Sequence, residues 1–285
     1  MASLIALALT LTVHSKVLDE DRTVVVQLPA SYEHSEERYP VLYLTDAEAQ
    51  FEQTASSAAF LSRANRIPEL IVVGIVNTNR RRDLTPTAAA LPTAGGKSVP
   101  QPGSGGGPKF LAFVETELVP EIDRRYRTRP FRVIAGHSFG GLFAVWIAEQ
   151  RPSLFRGVIA ASPTLYWDDD LALKQLEKLP DVRLYAAIAK ESPQMRRAFD
   201  ALRAKQRGSW RTQLFDDEDH LSIVLPAYYA GLKHVFAPWH FSMEELPEDP
   251  AKWDGAVREH YAKASAFLGY EVKPPAWVLE EIAQK

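Results

Sequence analysis

The run FRVIAGHSFGGLFAVWIA, residues 131–148, constrains the fold of this chain more than any other stretch. It opens on β-branched and apolar residues, narrows to glycines around one serine, and continues as an apolar helix. Ser138 between Gly136 and Gly140 fits G-x-S-x-G, a sharp strand-to-helix turn that holds a serine hydroxyl exposed above a sheet edge. The glycines let the chain pass close to itself at the turn. Gly140, Gly141 and Ala144 allow the following helix to lie tightly on the sheet. The five letters alone are weak evidence, whereas strand, turn and helix in this order read as a nucleophile elbow rather than a plain glycine-rich turn.

The rest of the chain supplies the sheet that such an elbow requires. LTLTVHS alternates as a half-buried strand does, RTVVVQLP and YPVLYLT are β-branched runs, and ELIVVGIVNT is a continuous apolar strand of the kind buried on both faces. EQTASSAAFLSRAN and KFLAFVETELVPEIDRRY have helical spacing, and GVIAAS, VRLYAAIA and TQLFD continue the strands. Strand and helix therefore alternate, which predicts an α/β fold with a mostly parallel central sheet flanked by helices. From about Phe241 two short helical patterns flank GYEVKPP, with Tyr261, Phe267 and Trp277 spaced to pack onto the main body. The expected organisation is one domain over 1–240 and a short helical C-terminal extension over 241–285. Residues 87–108, rich in glycine, proline and small side chains, predict a long flexible loop, either a lid or a solvated insertion. The GGKS within it is no phosphate loop, because Leu91 stands where the first glycine is needed and Val99-Pro100 follow where a helix should start.

Composition excludes several classes of function. A formal charge of -3 gives no electrostatic reason for a polyanionic partner, so nucleic acid is not expected. The absence of cysteine removes disulfides, zinc-thiolate sites, iron-sulfur clusters and a cysteine nucleophile together. No run of eighteen apolar residues occurs, which excludes a spanning helix. The N-terminal MASLIALALTLTVHSK has an apolar run but lacks the basic segment and small-residue cleavage site of a secretory signal, so it reads as a first strand, with a signal remnant as the alternative. A soluble protein is expected, cytoplasmic, periplasmic or secreted, and its oligomeric state stays open.

A serine hydroxyl is a poor nucleophile at neutral pH and needs a neighbouring base. After this elbow the acid and then the histidine follow in chain order. His220 comes directly after TQLFD and heads a loop opening into LSIVLPAYYAGL, the expected place for the base. His234, His240 and His260 lie on or beside the C-terminal helical patterns, and His137 is too close in sequence to turn back onto Ser138. Glu191, just past VRLYAAIA, is the first candidate for the carboxylate that orients the imidazole, with Asp200 and the DDED run before His220 as alternatives. Two backbone N–H groups must hold a developing oxyanion. One is that of Phe139, after the nucleophile, and the other comes from the loop after VLYLT, at Glu48 or Ala47.

These blocks together resemble the putative esterase family of α/β-hydrolases, which includes esterase D, siderophore trilactone esterases and relatives of the feruloyl esterases. The resemblance runs over nearly the whole chain, through HSKVLDEDRTVVVQLP, YPVLYLTDAEAQF, IVVGIVNTNRRRDLTPT, GHSFGGLFA, SPTLYWDD and EDHLSIV. It implies a Ser138, His220 and Glu191 triad on an α/β-hydrolase fold, with the carboxylate absent in relatives that work as a Ser-His dyad. Relatives usually carry Asp-Gly in the oxyanion loop where this chain has Asp46-Ala47, and a glycine often seen beside Glu191 is missing from IAKES. Tyr166 and Trp167 look like the family's pocket wall, with plain packing as the alternative; Asp46 and Arg82 are the expected polar substrate contacts, and at least two of Arg80, Arg81 and Arg82 are expected to be exposed surface charge. The expected activity is hydrolysis of short-chain or aryl carboxylic esters through an acyl-serine, without metal or cofactor. Siderophore trilactone cleavage, acyl transfer on the same triad, and a non-catalytic binding protein on a hydrolase scaffold are the alternatives.

Overall fold

The computed structural model describes residues 8–92, 97–179 and 182–283. Its strands are β1 Leu9–Ser15, β2 Glu20–Gln27, β3 Tyr39–Leu44, β4 Ile71–Ile75, β5 Ala90–Pro92, β6 Ser98–Pro100, β7 Thr128–His137, β8 Gly157–Ala161, β9 Arg183–Ile188 and β10 Arg211–Leu214. Its helices are α1 Ala47–Arg63, α2 Arg80–Leu84, α3 Gly107–Phe113, α4 Val119–Arg125, α5 Phe139–Gln150, α6 Leu171–Gln175, α7 Pro193–Ala204, α8 Val224–Val235, α9 Trp253–Leu268 and α10 Ala276–Ala283.

Eight strands form one sheet in the order β1-β2-β4-β3-β7-β8-β9-β10. β1, β2 and β4 pair antiparallel, and from β4 to β10 every pairing is parallel. The difference is visible in the side chains. β1 alternates exposed and buried positions, whereas β3, β4 and β8 are buried along their whole length, as strands covered by helices on both faces must be. Alternate residues divide the core in two. Val41 and Tyr43 join the layer under α3, α5 and α7, while Leu42 and Leu44 join the layer under α1 and α8. The parallel strands all end on the same side, so the segments after β3, β4, β7, β8, β9 and β10 meet at one edge, where sites of open α/β sheets form.

Three expectations change. The helix read over 109–126 is interrupted by a π-helical turn, Val114–Leu118. Pro120 explains it, because its ring and missing N–H cannot continue an α-helical ladder and the widened turn absorbs both. The stretch over 87–108 is not a loop without structure: β5 and β6 pair as an antiparallel hairpin. The glycines after the hairpin dock on the α2 segment, with Gly106 N–H donating to Arg82 O at 2.8 Å and Gly107 N–H to Thr85 O at 2.9 Å. Gly95 and Gly96 of the GGKS motif, like the first seven residues, lie outside the described residues. Trp277, expected to pack inward, is 43% exposed, and its neighbour Val278 is buried instead against Phe241, Val257 and Tyr261. Among the described residues no helix is long and apolar enough to cross a membrane.

Helix α5 is buried from Gly140 to Glu149, including the carboxyl group of Glu149, whose two oxygens have no hydrogen-bond partner. Burial pushes its pKa up to about 9, against a smaller opposing effect of Lys178. The folded protein therefore binds a proton that the unfolded chain releases near pH ~4.5. Stability should fall as pH rises from there through the folded pKa. Glu149→Leu is expected to remove on the order of 2–4 kcal/mol of the loss between pH 6 and 9. Urea unfolding of both proteins at the two pH values checks this, and equal pH slopes would contradict it.

Candidate active site

Ser138 occupies the turn between β7 and α5 at φ 59° and ψ −114°, a strained conformation for a residue with a Cβ. The surroundings hold it there. Its N–H donates to Ala161 O at 3.0 Å, and its carbonyl accepts from Leu142 N–H at 3.0 Å and Thr164 N–H at 3.1 Å. A Cβ at Gly136 would collide with Gly140 O, and one at Gly140 with Thr45 Oγ1, so both glycines are needed for close approach. The serine Oγ stands 3.4 Å from Thr164 Oγ1 and lines a cleft of about 300 Å³ with His220, His137, Arg80, Asp46, Glu48 and Leu221.

His220 lies in a turn after β10 that is folded by Asp219, whose Oδ1 accepts from Leu221 N–H at 2.8 Å and Ser222 N–H at 2.9 Å. His220 Nδ1 is 2.8 Å from Glu191 Oε1, with the two side chains 38% and 5% exposed. Burial alone would raise the Glu191 pKa, but hydrogen bonds from the His220 ring and the Ser162 hydroxyl outweigh it and hold the carboxyl below its ordinary range. An ionised carboxylate only accepts, so Nδ1 carries a proton, and in the neutral ring it is Nε2 that has the lone pair. That is the tautomer a general base requires. The missing glycine in IAKES does not keep Glu191 from the ring, because Lys190 N–H donates to Glu218 O at 3.1 Å and draws the two segments together.

The competing residues go elsewhere. Asp200 pairs with Arg196 on the solvent side of α7. His234, His240 and His260 face backbone carbonyls of Ser209, Asn65 and Trp239. His137 is buried, and burial together with the neighbouring His220 lowers its pKa to about 4, so it is neutral. Its Nε2–H donates to His220 O at 2.6 Å, which braces the backbone of the other histidine.

At the opposite wall Asp46 adopts the left-handed conformation, φ 57°, and α1 starts at Ala47. The positive φ thus falls on Asp46, which tolerates it, and Ala47 is helical, so Ala in place of Gly costs no strain there. The first N–H groups of a helix have no intrahelical acceptor, which leaves those of Ala47 and Glu48 on α1 and Phe139 on α5. The Glu48 side chain is held by Asn77, whose Nδ2–H it accepts at 2.6 Å.

Three of the expected substrate contacts are redirected. Asp46 is buried, and its carboxylate accepts from Arg80 Nε–H and Asn77 Nδ2–H, each at 2.6 Å. Arg82 is drawn off by Glu20 and Asp83, both at 2.6 Å, since on a single helical turn residues 80 and 82 point to different sides. Arg80 is the cation of the cleft, and its Nη2–H also donates to His137 O at 3.0 Å. Trp167 is fully buried, its Nε1–H on Thr87 Oγ1 at 3.2 Å and its ring edge-on to Phe139 at 5.4 Å, so it supports the elbow from behind. Tyr166 is half-buried, and burial and then the charge of Glu191 raise its pKa. Ser162, Thr164, Asn77 and Leu221 were not foreseen. The signal that could have found them is position, since Ser162, Thr164 and Asn77 lie within three residues of a strand's end and Leu221 follows the candidate base. Among the described residues no three His, Asp or Glu side chains gather as metal ligands.

A family model described as "Putative esterase" matches residues 15–245. The chain is 32% identical over 156 residues to the ferri-bacillibactin esterase BesA of Bacillus subtilis, a match covering 49% of this chain and 52% of that protein. It therefore spans about half the length of that relative. Similarity to the siderophore triacetylfusarinine C esterase of Aspergillus fumigatus is lower, 24% over 251 residues, but covers 71% of this chain and 83% of that one. Among solved structures, an IroE-like serine hydrolase from Shewanella oneidensis superposes with a TM-score of 0.82 at 31% identity, covering 98% of this chain and 93% of the other. The siderophore hydrolase EstA from Aspergillus nidulans, at 23% identity and a TM-score of 0.65 over 79% and 92%, shares the fold.

Proposed function

This chain belongs to the putative esterase family, carboxylic ester hydrolases on an α/β-hydrolase fold, and from that premise we propose that it cleaves its ester through an acyl-enzyme on Ser138. The observation that carries the mechanism is the 2.8 Å contact of His220 Nδ1 with the buried Glu191 carboxylate, at the rim of the cleft that Ser138 also lines. Ser138 Oγ attacks the ester carbonyl while His220 Nε2 takes its proton. Glu191 stabilises the imidazolium, and the N–H groups of Phe139 and of Glu48 or Ala47 receive the negative oxygen. The intermediate collapses with His220 returning the proton to the leaving alcohol. Water, deprotonated by the same ring, then attacks the acyl-serine and restores the hydroxyl.

The substrate class we propose is the ester linkage of siderophores, with simple short-chain and aryl esters as surrogates. Relatives named as esterases of ferri-bacillibactin and of triacetylfusarinine C support it. Incubating the protein with a catecholate trilactone, with p-nitrophenyl butyrate and with a feruloyl ester, and following products by mass spectrometry, tests both levels. Cleavage of the trilactone to its hydroxy-acid units is expected. Glu191→Gln should lower kcat on p-nitrophenyl butyrate by about 10²–10⁴-fold with KM little changed, because an amide cannot stabilise the imidazolium and can stabilise the wrong tautomer. A variant as fast as wild type would remove Glu191 from the mechanism, and no cleavage of any ester would remove the function.

A further inference from the structure

Exposed apolar side chains run outward from the cleft. Leu221, which lines the cleft next to His220, is 76% exposed, and Leu225 on α8 is 50% exposed. Tyr229 follows on the same helix, its ring 6.3 Å from that of Phe60 on α1, which is 51% exposed. The spacing is i, i+4, i+8, and Ile223 N–H already bonds back to Asp219 O at 3.2 Å, so the turn carrying Leu221 winds into the helix and the side chains share a face. Beside Leu225 the surface dips into a hollow of about 490 Å³ walled by Phe215, Pro226, Tyr229 and Ala230.

The chemistry of the two spaces differs. The cleft around Ser138 is lined mainly by charged and polar residues, whereas the hollow is mostly apolar, with Gln213 and Glu218 on its wall, and opens at the far end of the leucine pair. A contiguous apolar strip on a surface signals an occupant. A stripe four side chains long falls well short of the roughly 20–30 residues a side of a stable protein interface. Its first residue also borders the candidate nucleophile, which makes it continuous with the reaction site. We infer that this stripe binds the extended apolar part of the ester, acyl chain or aromatic ring, which leaves the cleft over Leu221 and ends in the hollow at Leu225. The inference rests on the ester-hydrolase reading and deepens it: the enzyme selects esters with an apolar arm of several carbons over acetyl-sized ones.

The test is a p-nitrophenyl ester series from acetate through butyrate and hexanoate to octanoate. Complete transfer of a methylene from water is worth about fourfold in an equilibrium, and contact on one face about half of that in free energy, so kcat/KM should rise about twofold per methylene beyond butyrate. Leu225→Asp should reduce the octanoate-to-acetate ratio of kcat/KM at least tenfold, chiefly through KM. Leu279→Asp, on exposed α10, should leave that ratio unchanged. Both leucines are exposed, so neither change should prevent folding. Cleavage of acetate with a flat chain-length series, or a ratio insensitive to Leu225→Asp, overturns the inference while leaving the hydrolase reading intact. A ratio unchanged by Leu225→Asp while the sedimenting mass falls assigns the stripe to a second copy of the chain and equally overturns it. No cleavage of any ester overturns both readings.

Discussion

Ser138→Ala is expected to lower kcat on p-nitrophenyl butyrate by about 10⁴–10⁶-fold, the cost of removing the nucleophile from a serine triad. The proposed oxyanion donors, backbone N–H groups at the starts of α1 and α5, are untouched by the substitution, so under the proposed mechanism the residual rate is assigned to them and to substrate binding. The change should be silent in stability. Alanine and serine both carry a Cβ, and both suffer the positive φ of 59° at this position. Ser138→Gly separates the two properties: it should be as inactive as the alanine variant yet about 1 kcal/mol more stable, because glycine alone accepts that backbone at no steric cost. Initial rates and thermal unfolding of the three proteins measure both effects. An alanine variant within tenfold of wild type would exclude Ser138 as nucleophile.

The largest structural effect is expected at Asp83. Arg22 is fully buried, with its guanidinium 2.6 Å from Asp83, 2.7 Å from the partly exposed Glu20, and over the ring of Phe110 at 5.1 Å. Asp83→Ala leaves that charge in an apolar setting with one carboxylate fewer, which should cost about 3–5 kcal/mol in urea unfolding. Replacing both partners with apolar residues, Arg22→Met with Asp83→Leu, should recover most of the loss, because desolvation of the pair offsets much of its attraction. The consequence reaches the cleft. Asp83 anchors the short α2 that also carries Arg80, and Arg80 ties Asp46 to the carbonyl of His137. The alanine variant should therefore lose activity below its unfolding temperature as well, and the double variant should regain it. A loss under 1 kcal/mol would show that the buried pair is not a stabilising link.

The serine turn was legible because its requirements are local. Two glycines where a Cβ would strike the neighbouring backbone, a β-branched strand before and an apolar helix after can be read from eighteen consecutive letters. The same holds for β4, whose unbroken apolar run announced burial on both faces. The hairpin of β5 and β6 was not legible in this way, since the glycines of the stretch read as backbone freedom and its prolines as missing donors, and neither says that Gly106 and Gly107 dock on Arg82 and Thr85. Among the arginines of RRRDL, composition could not separate Arg80 in the cleft from Arg82 bound to Glu20. Asp46 likewise reads as a free carboxylate until Arg80 and Asn77 are seen to occupy it.

The letters alone determined the alternating α/β architecture and the serine turn, because backbone stereochemistry and the two-residue and 3.6-residue periods act over a few residues. Tertiary structure decided which carboxylate meets His220, which arginine enters the cleft, and that Asp46 rather than Ala47 takes the left-handed conformation. Those choices depend on which strand ends lie side by side. In a sheet ordered β4-β3-β7-β8-β9-β10, residues 46, 77, 138, 191 and 220 become neighbours through pairings tens of residues apart, and no local pattern encodes that adjacency.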